Sequence, residues 1–85
     1  MSAWDYIVQK PAVRYLKRLP QKDQERIVKA LDALVTDSEN ADFKPLKGRP
    51  EWRLRVGSYR VLMRVNWDKK VFVVTEIGPR GDVYK

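Results

Sequence analysis

The chain is 85 residues long, carries a formal net charge of +7, and contains neither cysteine nor histidine. A domain of this size buries only about 60% of the surface its unfolded chain exposes, so residues 1–85 are expected to form one domain with any site on the surface of its single core. Lack of cysteine excludes disulfides, thiolate metal sites and thiol nucleophiles, and lack of histidine removes the usual base near neutral pH and the commonest metal ligand.

Charge is unevenly placed. Residues 1–42 hold seven Lys/Arg against seven Asp/Glu, whereas residues 43–85 hold eleven against four. A basic excess confined to one half points to a polyanion, with nucleic acid ahead of an anionic membrane or an acidic protein. Met1-Ser2-Ala3-Trp4-Asp5 has no basic n-region or apolar h-region, and no stretch approaches the roughly 20 apolar residues of a membrane span. A cytoplasmic location without a membrane partner is the expectation.

Residues 4–8 are rich in aromatic and β-branched side chains and predict a strand. Pro11 then suits the first turn of a helix in which Ala12, Tyr15, Leu16 and Leu19 form one apolar stripe, with Pro20 as its end. A second helix is predicted over residues 21–36, with Ile27, Leu31, Leu34 and Val35 inward and Lys22, Asp23, Arg26 and Lys29 mostly outward. The short break between them implies a helical hairpin.

Residues 37–50 read as a polar loop with two prolines and a glycine. The period then changes to two. Trp52-Arg53-Leu54-Arg55-Val56 alternates apolar with cationic residues, Gly57-Ser58 suits a two-residue type II′ turn, and residues 59–65 return. A turn at residues 68–70 leads to a third strand over residues 71–77, which Gly78-Pro79 should break before a short last segment. The order β-α-α-β-β-β predicts an α+β fold, an antiparallel sheet plus N-terminal strand with the helical hairpin on one face and the other face open.

A two-residue turn at Gly57-Ser58 pairs Val56 with Tyr59, Arg55 with Arg60, Leu54 with Val61 and Arg53 with Leu62. Arg53, Arg55, Arg60 and Arg64 then share the open face with no acidic residue interleaved in the strands. Like charges directly opposite each other are destabilising, so the cluster suggests an anion to hold, and the planar guanidinium fork suits phosphate. A single strand arginine reads more simply as a solubilising outward residue; four on one face favour phosphate. Trp52 and Tyr59 fall on the core side, Trp67 at a turn is ambiguous, and Tyr84 is placed to stack on a base.

Leu46-Lys47-Gly48, Trp52-Arg53-Leu54-Arg55-Val56-Gly57-Ser58-Tyr59-Arg60-Val61 and Ile77-Gly78-Pro79-Arg80-Gly81-Asp82-Val83-Tyr84-Lys85 together resemble the RelE/ParE toxins of type II toxin-antitoxin systems. The resemblance spans essentially the whole chain. It implies a toxin that enters the ribosomal A site and cuts messenger RNA by attack of the adjacent 2′-hydroxyl on phosphorus, without metal or other cofactor. By the same resemblance Arg53, Arg55, Arg60, Arg80 and Tyr84 form the catalytic set, with Arg60 and Arg80 stabilising developing phosphate charge and Tyr84 orienting the nucleotide. Lys47, Arg49, Arg64 and Lys85 join Arg53 and Arg55 in binding RNA.

Implied partners are the ribosome, messenger RNA and a cognate acidic antitoxin, partly disordered, whose amphipathic segment folds on binding. Relatives often carry lysine where this chain has Arg53 and Arg55, and arginine does not readily give up a proton, which leaves the general base open. A ParE-type inhibitor of DNA gyrase and a non-catalytic RNA-binding module are the alternatives.

Overall fold

Helix-free and helix-covered faces of one sheet organise the computed structural model, which describes residues 4–79. In chain order the elements are strand β1 (Asp5–Val8), helices α1 (Lys10–Arg18) and α2 (Gln21–Thr36), a 3-10 turn at Ser38–Asn40, and strands β2 (Phe43–Pro45), β3 (Trp52–Val56), β4 (Tyr59–Asn66) and β5 (Val71–Pro79). The spatial order is β1-β5-β4-β3-β2. Strands β2 to β5 form an antiparallel meander, and β1 pairs parallel with β5 through Asp5↔Val71 to Val8↔Val74. The helical excursion after β1 carries the chain to the far side of the sheet, and four alternating strands bring it back.

Pro11 sits in the first turn of α1, where its missing N–H has no intrahelical partner to lose. The Gln24 side-chain amide donates to the Leu19 carbonyl at 2.8 Å, satisfying one of the acceptors left open where α1 ends. Both helices pack mainly on the sheet, α1 on β5 and α2 on β1 and β3. Ala12, Ile27, Leu31 and Leu34 meet Leu54, Val61, Met63, Phe72, Val74 and Ile77 in the core. At 25 cal/mol per Å², burying each large aliphatic side chain contributes about 1.5–3 kcal/mol. No described helix is long and apolar enough to cross a membrane.

Two readings of the sequence are corrected, and one feature of the sheet lies beyond them. Residues 43–45 belong to the sheet: Phe43, Lys44 and Pro45 pair with Leu54, Arg53 and Trp52. This is an edge strand of three residues, a setting in which proline is tolerated in a sheet, so it reads as loop. Gly78 and Pro79 do not break the last strand but continue it, opposite Arg60 and Tyr59. Finally, Leu62 pairs with Glu76 while Met63 pairs with Val74, leaving Thr75 as an extra residue, a bulge that an almost unbroken apolar run cannot signal.

Candidate nucleic-acid interface

The β3–β4 hairpin has the register the turn dictates: Val56↔Tyr59, Arg55↔Arg60, Leu54↔Val61 and Arg53↔Leu62. Gly57 has φ +55°, a left-handed conformation that glycine adopts without steric cost and that a type II′ turn needs at this position. The turn is tied to α2, since the Tyr59 hydroxyl donates to Asp23 Oδ2 at 2.7 Å. That hydrogen bond, with burial and the Asp23 charge, raises the Tyr59 pKa above its ordinary value. The turn therefore aims β3 and β4 from the helical side of the sheet.

Registers across the sheet place side chains on the helix-free face in rows. One row runs Gly78, Arg60, Arg55, with Asp42 continuing it beyond the end of β2; the next runs Glu76, Leu62, Arg53, Lys44. Arg64 follows, opposite Val73. Arg53 and Arg55 are half-buried, and Arg64 is well exposed at the edge of the cluster. Leu62 is only 1% exposed on this face, although no helix covers it. Arg60 and Arg64 flank it along β4 and Arg53 and Glu76 across the ladder, and such long stems cover apolar surface while their charged heads stay wet.

Carboxylates do reach this face, contrary to the expectation from the strands alone. Asp42 Oδ1 accepts from Arg53 Nη1 at 3.1 Å, and Asp42 Oδ2 lies 3.6 Å from Arg55 Nε. The Arg53 hydrogen bond is the main reason the Asp42 carboxyl is held below its ordinary pKa; Arg55 and Lys44 add to it. Glu51 accepts from Arg49 Nε at 3.1 Å and from Arg64 Nη2 at 3.5 Å. Its burial alone would raise its pKa, but its own backbone amide and the two arginines outweigh that and hold it lowered. Both acids were hidden because they lie just outside the alternating strands. Lys44 also reaches this face, from within β2, a segment whose sequence reads as loop.

The structure thus gathers Arg53, Arg55, Arg60 and Arg64 on one face. Arg49 and Lys47 lie in the β2–β3 loop, where Lys47 is exposed and Arg49 is engaged with Glu51. Arg80, Tyr84 and Lys85 lie outside the described residues. Beside the cluster a shallow depression of about 910 Å³, lined by Gln9, Glu51, Arg64, Asn66, Trp67 and Thr75 among others, extends the face toward the β4–β5 turn. Trp67 is 63% exposed, with its ring set edge-on to Trp4 and Trp52. The arrangement presents several fixed guanidinium donors over an open, partly apolar floor, which is suited to a phosphodiester with a stacked or inserted base.

Residues 6–84 match the family model described as the ParE toxin of type II toxin-antitoxin system, parDE. This chain belongs to the RelE/ParE family of type II toxins. The toxin is 32% identical over 82 residues to the Methanocaldococcus jannaschii protein named "Putative toxin RelE1", a match covering 92% of this chain and 91% of the relative. Among solved structures it resembles the archaeal RelE-RelB complex from Pyrococcus horikoshii, with a TM-score of 0.78 at 31% identity over 96% of the toxin and 99% of that chain. The toxin-antitoxin complex RelBE2 from Mycobacterium tuberculosis gives a TM-score of 0.80 at 22% identity, covering 91% and 98%, and so speaks to the fold alone.

Proposed function

We propose that this toxin is a ribosome-dependent endoribonuclease that cuts messenger RNA in the A site and arrests translation in the cytoplasm. The observation that carries the reading is the placement of Arg55 directly opposite Arg60, with Arg53 one row away, on the face that no helix covers. Cross-strand like charges cost stability, and a bound phosphate offsets that cost. In the reaction the 2′-hydroxyl oxygen gives up its proton and attacks the adjacent phosphorus, the bond from phosphorus to the 5′-oxygen breaks, and the leaving 5′-oxygen takes up a proton, so that no net proton is consumed. The products are a cyclic phosphate, or the 3′-phosphate it hydrolyses to, and a 5′-hydroxyl.

Arg60 and Arg80 stabilise the charge developing on the phosphate, Arg53 and Arg55 hold the strand, and Tyr84 orients the nucleotide. Lys47, Arg49, Arg64 and Lys85 extend the RNA contact. Donors preorganised toward developing charge contribute around 10²–10³ in rate, and fixing the RNA in an attack geometry contributes further. The chemistry needs no divalent ion, because the nucleophile is already part of the substrate.

A RelB-like acidic antitoxin is the inferred inhibitor. Support comes from the RelE-RelB pairing in the Pyrococcus structure and from an apolar depression of about 520 Å³ at the end of α2, lined by Trp4, Leu34, Phe43, Trp52 and Phe72 among others. The test is to express the toxin, map the 5′ ends of messenger fragments, and identify the fragment termini. Cleavage on ribosomes that leaves a cyclic or 3′-phosphate is expected; fragments ending in a 3′-hydroxyl, or no cleavage at all, overturn the reading. The ParE name of the matching family model favours gyrase inhibition as the second reading. Loss of supercoiling by purified gyrase, with messenger intact, would establish it.

A further inference from the structure

We propose that Asp42 is a displaceable internal anion, its carboxylate occupying the seat between Arg53 and Arg55 that an RNA phosphate takes over on binding. The inference rests on the reading of the arginine face as the RNA-binding surface.

Asp42 stands immediately before β2, and the Arg55 amide donates to its backbone carbonyl at 3.0 Å, which anchors the residue opposite Arg55. Its two carboxylate oxygens divide between the two arginines, 3.1 Å from Arg53 Nη1 and 3.6 Å from Arg55 Nε. One anion bridging two guanidinium groups through two oxygens is also how the non-bridging oxygens of a phosphodiester would sit. The carboxylate therefore marks an anion seat and, while it stays there, blocks it.

Displacement is feasible because the pair is shallow. Asp42 has a side chain 41% exposed and Arg55 one 34% exposed, while Arg53 is more covered at 12%; the weak side of the seat is its carboxylate, and ion pairs whose partners are open to solvent are held weakly. Glu51 differs: its side chain is only 12% exposed and its two oxygens go to Arg49 and Arg64, away from the Arg53–Arg55 seat. Asp42 alone combines exposure with contact to both strand arginines among the described residues. Its backbone hydrogen bond does not involve the side chain, so the carboxylate can swing aside without undoing the β2–β3 pairing.

The test measures affinity for a short single-stranded RNA by fluorescence anisotropy at moderate salt, comparing wild type with Asp42→Asn and Asp42→Ala. Removing the competing charge should tighten binding by up to about fivefold, the equivalent of an exposed ion pair. The gain should vanish in an Arg53→Gln/Arg55→Gln background, because interaction terms exist only while both partners do. Glu25→Gln, an equal charge change on the exposed side of α2, should leave affinity unchanged, since at such salt the Debye length is about 10 Å. Tightening that depends on the arginines supports the proposal. Unchanged or weaker binding by both Asp42 variants, with wild type still binding RNA, overturns it and makes Asp42 a fixed positioning group for the arginines. A wild-type protein without salt-dependent RNA binding instead removes the underlying reading of the face.

Discussion

Arg55→Gln separates the anion-binding account of the face from a scaffolding one. The residue sits between two charges of opposite sign in its row, Arg60 directly across in β4 and Asp42 on the other side. Losing the like-charge neighbour relieves a penalty whose counterpart for opposite charges is roughly 0.2–1 kcal/mol. Losing the Asp42 pair, open to solvent and already 3.6 Å long, forfeits about 0.2–1 kcal/mol. Glutamine keeps part of the aliphatic stem. The two charge effects nearly cancel, so stability should stay within about 0.5 kcal/mol of wild type and the melting midpoint within about 4 °C, given about 4–8 °C per kcal/mol for a domain of this size. RNA binding should respond much more. Losing one phosphate contact makes the log–log salt slope on single strands shallower by about 0.7. Calorimetry and salt-titrated anisotropy on the same preparation give both numbers. A melting midpoint lowered by more than about 8 °C with an unchanged salt slope would refute the reasoning and assign Arg55 to the scaffold.

Other perturbations probe other links in the chain from residue to function. Arg60→Ala should reduce messenger cleavage by around 10²–10³ while weakening RNA binding far less, whereas Lys69→Ala, at the β4–β5 turn, should alter neither in the same ribosome assay. Leu31→Ala removes a fully buried α2 side chain and should cost about 2–5 kcal/mol in denaturant titrations. Because the Asp42 carboxyl is held below its ordinary value of 3.8, it adds stability above that pH that is lost as pH falls through its folded value; Asp42→Asn should flatten the acid limb of a stability profile. The Tyr59 pKa is raised above 10.0, so its contribution is complete below pH 10 and fades as pH rises through the folded value. Tyr59→Phe should remove that alkaline dependence, as seen by circular dichroism.

Much of this was legible because short-range rules determine it. The Gly57-Ser58 turn sets the register of β3 and β4 and hence the Arg55–Arg60 pairing, and the apolar stripes of α1 and α2 select the residues that reach the core. What escaped depends on partners distant in sequence. The edge strand β2 exists only because β3 offers it a ladder, and Pro45 disguised it. The parallel pairing of β1 with β5 follows from where the helices carry the chain, which local pattern does not encode. The Thr75 bulge depends on how β5 meets β4 between Leu62 and Met63. Asp42 and Glu51 join the arginine face through pairings that a reading confined to alternating strands omits, and they convert an all-cationic surface into one with internal counterions. The proposed contributions of Arg80, Tyr84 and Lys85 lie outside the described residues.

The pairing of β1 with β5 also bears on synthesis. The first strand has one sheet neighbour, and that neighbour is the last described strand, 66 positions later in the register Asp5↔Val71. A nascent chain has to keep Tyr6 and Val8 waiting through two helices and three other strands, and closing so long a loop is entropically slow compared with local hairpins. The sheet therefore closes only once β5 has emerged to meet β1. At about 5–20 residues per second, several seconds separate the appearance of β1 from that of β5, and throughout that interval the toxin's first strand has no sheet partner to pair with.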